Sequence, residues 1–217
     1  MLPAAAIRAE YEESAVLPDE HQKVKWASEK SMLSRFELAA EALPFSTAKT
    51  WLDVGCGPGS FQAIVRNRFP QIACVGLDIS PTLIAHASGR TDTQGCVFMA
   101  GDFLDCSLPM FDLITCIGVL QRTNFSAKEF FIKVSGLLRP GGRLFLDTKN
   151  ANWEEFTSGR LIPDPHLQWF TLDSLTQAAI NAGLHPIRAL GFDPHHGEIV
   201  PEARSATIFL VAEQKQD

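Results

Sequence analysis

The chain has 217 residues, of which 46% are apolar, and a formal net charge of −6. The length suits one domain with a modest extension, and the composition excludes a disordered or collagen-like chain. The acidic balance, with no long Lys/Arg run, argues against a nucleic-acid partner, because phosphate binding needs clustered cations.

Over residues 20–43, Trp26, Leu33, Phe36, Ala40 and Leu43 recur at helical spacing, and Pro44 ends the helix that this spacing predicts. Short apolar runs then alternate with amphipathic segments, the pattern of βαβ units and a parallel sheet. The first strand is predicted at 50–54, followed by a Gly-rich turn. Phe61, Ile64, Val65 and Phe69 share one face of the next helix, which Pro70 ends. A second strand at 72–77 is closed by Asp78, and Pro81 suits the first turn of the helix after it. Residues 96–100 and 111–117 read as the third and fourth strands. Ser126 and Glu129 form a capping box for a helix carrying Phe130, Phe131, Val134 and Leu138. Pro140-Gly141-Gly142 predicts a stop before a fifth strand at 143–147. Leu172, Leu175 and Ala179 line a helix that starts near Thr171 and that Gly183 can cap. Residues 187–191 and 207–212 are expected as two final strands, joined by a loop rich in Pro, His and Gly. No internal repeat interrupts this order. The expected division is a helical extension at 1–46, folded over the site as a lid, and a domain at 47–217.

The five cysteines (Cys56, Cys74, Cys96, Cys106 and Cys116) are scattered and odd in number, with no C-x-x-C pair. That spacing favours a reducing compartment over a disulfide framework or zinc knuckle. Residues 1–10 carry too short an apolar stretch for a signal peptide, and no run is long enough to span a bilayer. A cytoplasmic, soluble protein without a membrane partner is the expectation.

A strand–Gly turn–helix opening suits two ligand classes, dinucleotides and S-adenosylmethionine. Gly55 and Gly57 match the first two glycines of G-x-G-x-x-G, but the sixth position is Ser60 and the third glycine comes early, at Gly59. Asp53, two residues before the first glycine, would repel a pyrophosphate and attract the ammonium of a methionine moiety or a sulfonium. Asp78 is placed to accept hydrogen bonds from vicinal ribose hydroxyls, which both cofactor classes present. Asp102, just after the third strand, is placed to accept from an adenine amino group with Phe103 flanking the ring, or to act as a turn residue.

The run from Trp51 to Gly59 resembles motif I of class I S-adenosylmethionine-dependent methyltransferases. Gly76-Leu77-Asp78-Ile79-Ser80 resembles their acidic second motif. Phe111-Asp112-Leu113-Ile114 is similar to their fourth strand, and Leu137-Leu138-Arg139-Pro140-Gly141-Gly142 to the loop before strand five. The four motifs occur in the family's order over roughly residues 50–147. The resemblance implies a Rossmann-like α/β fold, with a seven-stranded, mostly parallel sheet, an antiparallel last strand and helices on both faces. It implies cofactor contacts from Asp53, Gly55, Gly57, Gly59, Asp78, Ile79, Asp102 and Phe103, with Ile117 as a flanking apolar residue. Among subfamilies the chain is most similar to small-molecule O-methyltransferases of the ubiquinone-biosynthesis type. Their arginine before motif I, which meets the cofactor carboxylate, falls on Arg35; a solvated helix charge is the other reading.

One departure concerns the acceptor side: where many relatives carry His or Glu-His after strand four, this chain has Gln121-Arg122. The remaining candidates for a general base are His166, His195 and His196, each equally readable as an exposed loop histidine. His195, His196 and Glu198 lack persuasive metal spacing, so no metal is expected. Trp153, Phe156, Trp169 and Phe170 suit either an aromatic acceptor pocket or the core. The expected activity is methyl transfer to a small-molecule acceptor, by O- or N-methylation. Two alternatives stay open: a non-catalytic cofactor-binding or partner-activating subunit, and a nicotinamide-dependent oxidoreductase, against which Ser60 and Asp53 speak.

Overall fold

A computed structural model describes residues 2–215. Its centre is an eight-stranded sheet in the order β3-β2-β1-β4-β5-β8-β6-β7. The strands are β1 Thr50–Val54, β2 Ala73–Asp78, β3 Cys96–Ala100, β4 Phe111–Ile117, β5 Leu138–Lys149, β6 Leu184–Asp193, β7 Glu198–Val200 and β8 Thr207–Gln214. The first five pair in parallel, while β8 runs antiparallel between β5 and β6. Helices α1 Ala4–Ser14, α2 Glu20–Lys23 and α3 Glu29–Ala42 precede the sheet; α4 Ser60–Arg68, α5 Pro81–Gly89, α6 Ala127–Leu137, α7 Glu154–Thr157 and α8 Leu172–Asn181 follow in turn.

Both faces of the sheet are covered, as side-chain alternation requires. Trp51, Leu113, Phe145 and Phe209 point to one face, where they pack with Phe36 of α3 and with Phe61 and Val65 of α4. Leu52, Ile114, Leu144 and Leu210 point to the other and pack with Phe130 and Val134 of α6 and Leu175 of α8. The sheet therefore carries two cores.

Three expectations are corrected. The sheet has eight strands rather than seven, because the loop after β6 turns back on itself. Asp193 accepts from the backbone N–H of His195 at 2.9 Å, Gly197 bonds back to the Asp193 carbonyl at 2.8 Å, and β7 pairs antiparallel with β6. Pro140-Gly141-Gly142 does not stop the chain; β5 runs through it, with a register shift against β4 between Phe111 and Leu113. An irregular pairing tolerates the missing proline N–H. The single helix expected over 20–43 is broken in two. Ser28 caps α3 by accepting from the Ser31 N–H at 3.2 Å, and Lys25 adopts φ +58°, so the chain turns sharply between α2 and α3.

Candidate functional site

At the C-terminal ends of β1, β2 and β4 lies a cavity of about 950 Å³, open mouth included. Open α/β sheets place their binding crevices at this edge. The turn between β1 and α4 forms its floor. Gly55, Gly57 and Gly59 all take positive φ, which lets the chain reverse tightly, and Gly59 in the left-handed region opens α4.

Asp53 is the deepest charge in this cavity, with 4% of its surface exposed. Thr115 Oγ1 donates to Asp53 Oδ1 at 2.5 Å, and Gln62 Nε2 donates to Oδ2 at 2.7 Å. Trp51 Nε1 in turn donates to Thr115 Oγ1 at 2.8 Å, fixing the hydroxyl's orientation. Burial pushes the Asp53 carboxyl up to about 7, against the lowering effect of the hydrogen bonds from Thr115 and Gln62. Among the described residues no cation pairs with it. Beside it, Gln62 Oε1 is a buried oxygen with no hydrogen-bond partner among the described residues.

Asp78 closes β2 and is also buried. Its two oxygens accept from the backbone N–H groups of Gly57 and Ser80, each at 2.9 Å, so the carboxylate holds the Gly turn and the start of α5 together. Burial raises its pKa, opposed by these backbone bonds. Asp102 accepts from the Leu104 N–H and from Asn124 Nδ2, both at 3.0 Å. Phe103 is buried against Phe125 and Phe130. Ile79 and Ile117 complete the apolar walls.

The N-terminal segment contributes to the lining and is tied to the site's edge. Ile7 and Tyr11 of α1 line the cavity, and Glu12 accepts from the hydroxyls of Ser80, at 2.5 Å, and Thr82 at the start of α5. Glu20 accepts from Ser60 Oγ at 2.7 Å. Burial, with the Asp78 charge nearby, pushes the Tyr11 hydroxyl up to about 12.

A second cavity of about 1730 Å³, mouth included, adjoins the first and shares Tyr11, Val24, Trp26, Gly118 and Arg122 with it. The Trp26 ring stacks on the Arg35 guanidinium at 4.2 Å and packs against Gly118. At φ +71°, Gly118 admits no side chain there: a Cβ would sit 2.7 Å from the indole.

The structure thus brings Asp53, Gly55, Gly57, Asp78, Ile79, Asp102, Phe103 and Ile117 to one cavity. Two cofactor candidates stand apart. Gly59 caps α4 and packs against Ala87. Arg35 lines the second cavity and forms a two-pronged ion pair with Asp147, both contacts at 2.6 Å. Among the histidines, His195 lines the second cavity, His196 Nδ1 lies 2.6 Å from Asp193 in the β6–β7 turn, and His166 sits in an exposed loop. Sequence reasoning did not single out Gln62 and Thr115, which hold Asp53, or Trp26, Lys149 and Arg204, which line the second cavity. A threonine inside the apolar run of β4 was the available signal for Thr115. No group of three or more His, Cys, Asp and Glu among the described residues is placed to hold a metal ion. No helix among them is long and apolar enough to cross a membrane.

Residues 20–189 match a family model described as a methyltransferase domain. The chain is 27% identical over 145 residues to a malonyl-acyl-carrier-protein O-methyltransferase of Hahella chejuensis; the match covers 61% of this chain and 50% of that one. The chain therefore spans about half the length of that relative. It is 26% identical over 187 residues to a ubiquinone biosynthesis O-methyltransferase of Idiomarina loihiensis, covering 78% and 76% of the two chains. A putative methyltransferase of Haloferax volcanii, solved in complex with a methyltransferase activator, superposes with a TM-score of 0.74 at 19% identity, over 95% of this chain and 98% of that one.

Proposed function

This chain belongs to the class I S-adenosylmethionine-dependent methyltransferase family, and we propose that it transfers a methyl group from that cofactor to an oxygen of a small-molecule acceptor. The observation that carries the reading is the pair of buried carboxylates, Asp53 and Asp78, in one cavity with no pairing cation among the described residues. Each carboxylate keeps acceptor capacity beyond the two bonds it already accepts, which asks for a ligand rich in donors. An amino-acid ammonium and two ribose hydroxyls meet that need, while a pyrophosphate would be repelled by both carboxylates. The residues present therefore fit S-adenosylmethionine and not a dinucleotide.

In this reading Asp53 and the unpartnered oxygen of Gln62 receive the ammonium end, Asp78 the ribose, and Asp102 with Phe103 and Ile79 the adenine. When bound, the cofactor supplies a methyl group on a sulfonium with a good leaving group. The protein's contribution is alignment of the acceptor oxygen with the methyl–sulfur axis and exclusion of water. Residues 1–46 serve as the lid, since α1 and α2 are held over the mouth through Glu12 and Glu20. Oxygen is favoured over nitrogen by the names of the two curated relatives, both O-methyltransferases.

Calorimetric titration with S-adenosylmethionine, S-adenosylhomocysteine and NAD, on the wild type and Asp78→Ala, tests the reading. Micromolar binding of the two sulfur ligands, lost in the variant, is expected. Binding of NAD alone, or of none of the three, would refute it.

A further inference from the structure

The second cavity adjoins the first, and Trp26, Gly118 and Arg122 line both. Its charge runs against the composition of the chain. Lys25, Arg35, Arg122, Lys149 and Arg204 line it, against the single carboxylate of Asp193. Most of the possible compensation is already committed. Arg35 is matched by Asp147, while Lys25 and Arg122 share Glu10. Asp193 is engaged within its own turn by His195 and His196. No ion pair among the described residues includes Lys149 or Arg204. Lys149, at the end of β5, is half-buried, and burial together with the Arg35 charge lowers its pKa. The carboxylate that acts on it, Asp147, is already bound to Arg35, so a further anion would stabilise the ammonium.

We propose that this cavity binds the acceptor as a carboxylate, held by Lys149 and Arg204, and that the product is a methyl ester. The inference rests on the cofactor reading of the first cavity and names the acceptor class for the same site. The bond changes balance without any proton transfer. One carboxylate oxygen forms the C–O bond to the methyl carbon as the methyl–sulfur bond breaks, and the electron pair of that bond stays on sulfur. One negative and one positive charge disappear together. This chemistry explains the wall after β4, where relatives place a base. Gln121 is spent there as a structural link: its Nε2 donates to the Gly118 carbonyl at 2.5 Å, and its Oε1 accepts from Thr148 at 3.2 Å. A hydroxyl acceptor would need a base, whereas a carboxylate is already the nucleophile. The ester has no charge for Lys149 and Arg204 to hold, so the same electrostatics favour its release.

The test is titration of the S-adenosylhomocysteine-saturated protein with benzoate, succinate and citrate, each beside its methyl ester. At least one carboxylate should bind at least tenfold more tightly than its ester. Lys149→Met and Arg204→Gln should each weaken that binding at least fivefold, and Lys149→Arg should retain it. An S-adenosylhomocysteine affinity within twofold of wild type in every variant reports that the fold is intact. Esters binding as well as acids, carboxylate affinity surviving the Lys149/Arg204 double substitution, or no carboxylate binding to the saturated protein would each overturn the proposal. Failure of S-adenosylhomocysteine itself to bind would instead overturn the cofactor reading beneath it.

Discussion

Replacing Asp53 by Asn should stabilise the ligand-free protein while destroying its affinity for the cofactor. Burial raises the Asp53 carboxyl from its ordinary 3.8 to about 7. Each pKa unit is about 1.4 kcal/mol, so the ionised carboxylate opposes folding by at most about 4 kcal/mol above pH 7. The sign follows from proton binding: between pH 4 and pH 7 the folded chain holds this proton more tightly than the unfolded chain. The stability it contributes is full below about pH 4 and is lost as pH rises through about 7. Asn carries no such penalty, and its geometry suits the site. A turned Gln62 amide can present its unpartnered Oε1 to the new Nδ2–H, while Thr115 still donates to Asn Oδ1. Even half of the 4 kcal/mol raises the melting temperature by about 4–8 °C for a chain of this size. Thermal unfolding at pH 8 and pH 5, with and without S-adenosylhomocysteine, is the assay. The variant should melt higher than wild type at pH 8, by a margin that shrinks at pH 5, and should gain nothing from the ligand. A melting temperature equal to or below wild type at pH 8 would refute the reasoning.

Two further outcomes are expected. Asp147→Ala leaves the Arg35 guanidinium buried without its partner and frees the Gly118 N–H that Asp147 accepts at 2.6 Å, so it should cost about 3–5 kcal/mol in urea unfolding. A cost below about 1 kcal/mol would show that the pair is not what fixes Arg35. Glu12→Ala removes the polar tie between α1 and α5 and should weaken S-adenosylhomocysteine binding about fivefold, with little change in melting temperature. Unchanged affinity would sink the lid.

Much of the fold was legible because its signals are local. Strands β1, β3 and β4 fall where their apolar runs lie, and the Ser126–Glu129 box starts α6 as its spacing requires. What the sequence obscured was the behaviour of short or polar segments. Three residues of β7 carry too little pattern to register, and the helix break at Lys25 comes from a cap at Ser28 that competes with a continuous apolar stripe. Arg35 shows the limit for single side chains, since spacing from the Gly turn says nothing of Asp147, 112 residues away, which claims both prongs of its guanidinium.

The sequence by itself determined the floor of the first cavity, because the Gly turn, Asp53 and Asp78 lie within one βαβ unit, where strand ends and tight turns fix positions over a few residues. Only the tertiary structure decided the character of the second cavity. Lys25, Arg122, Lys149 and Arg204 are scattered through a chain of net charge −6, and none is a signal alone. They meet because β4, β5 and the segment before β8 end at the same edge of the sheet, beneath the N-terminal helices. Charge at a site is a sum over neighbours in space, and composition averages it away.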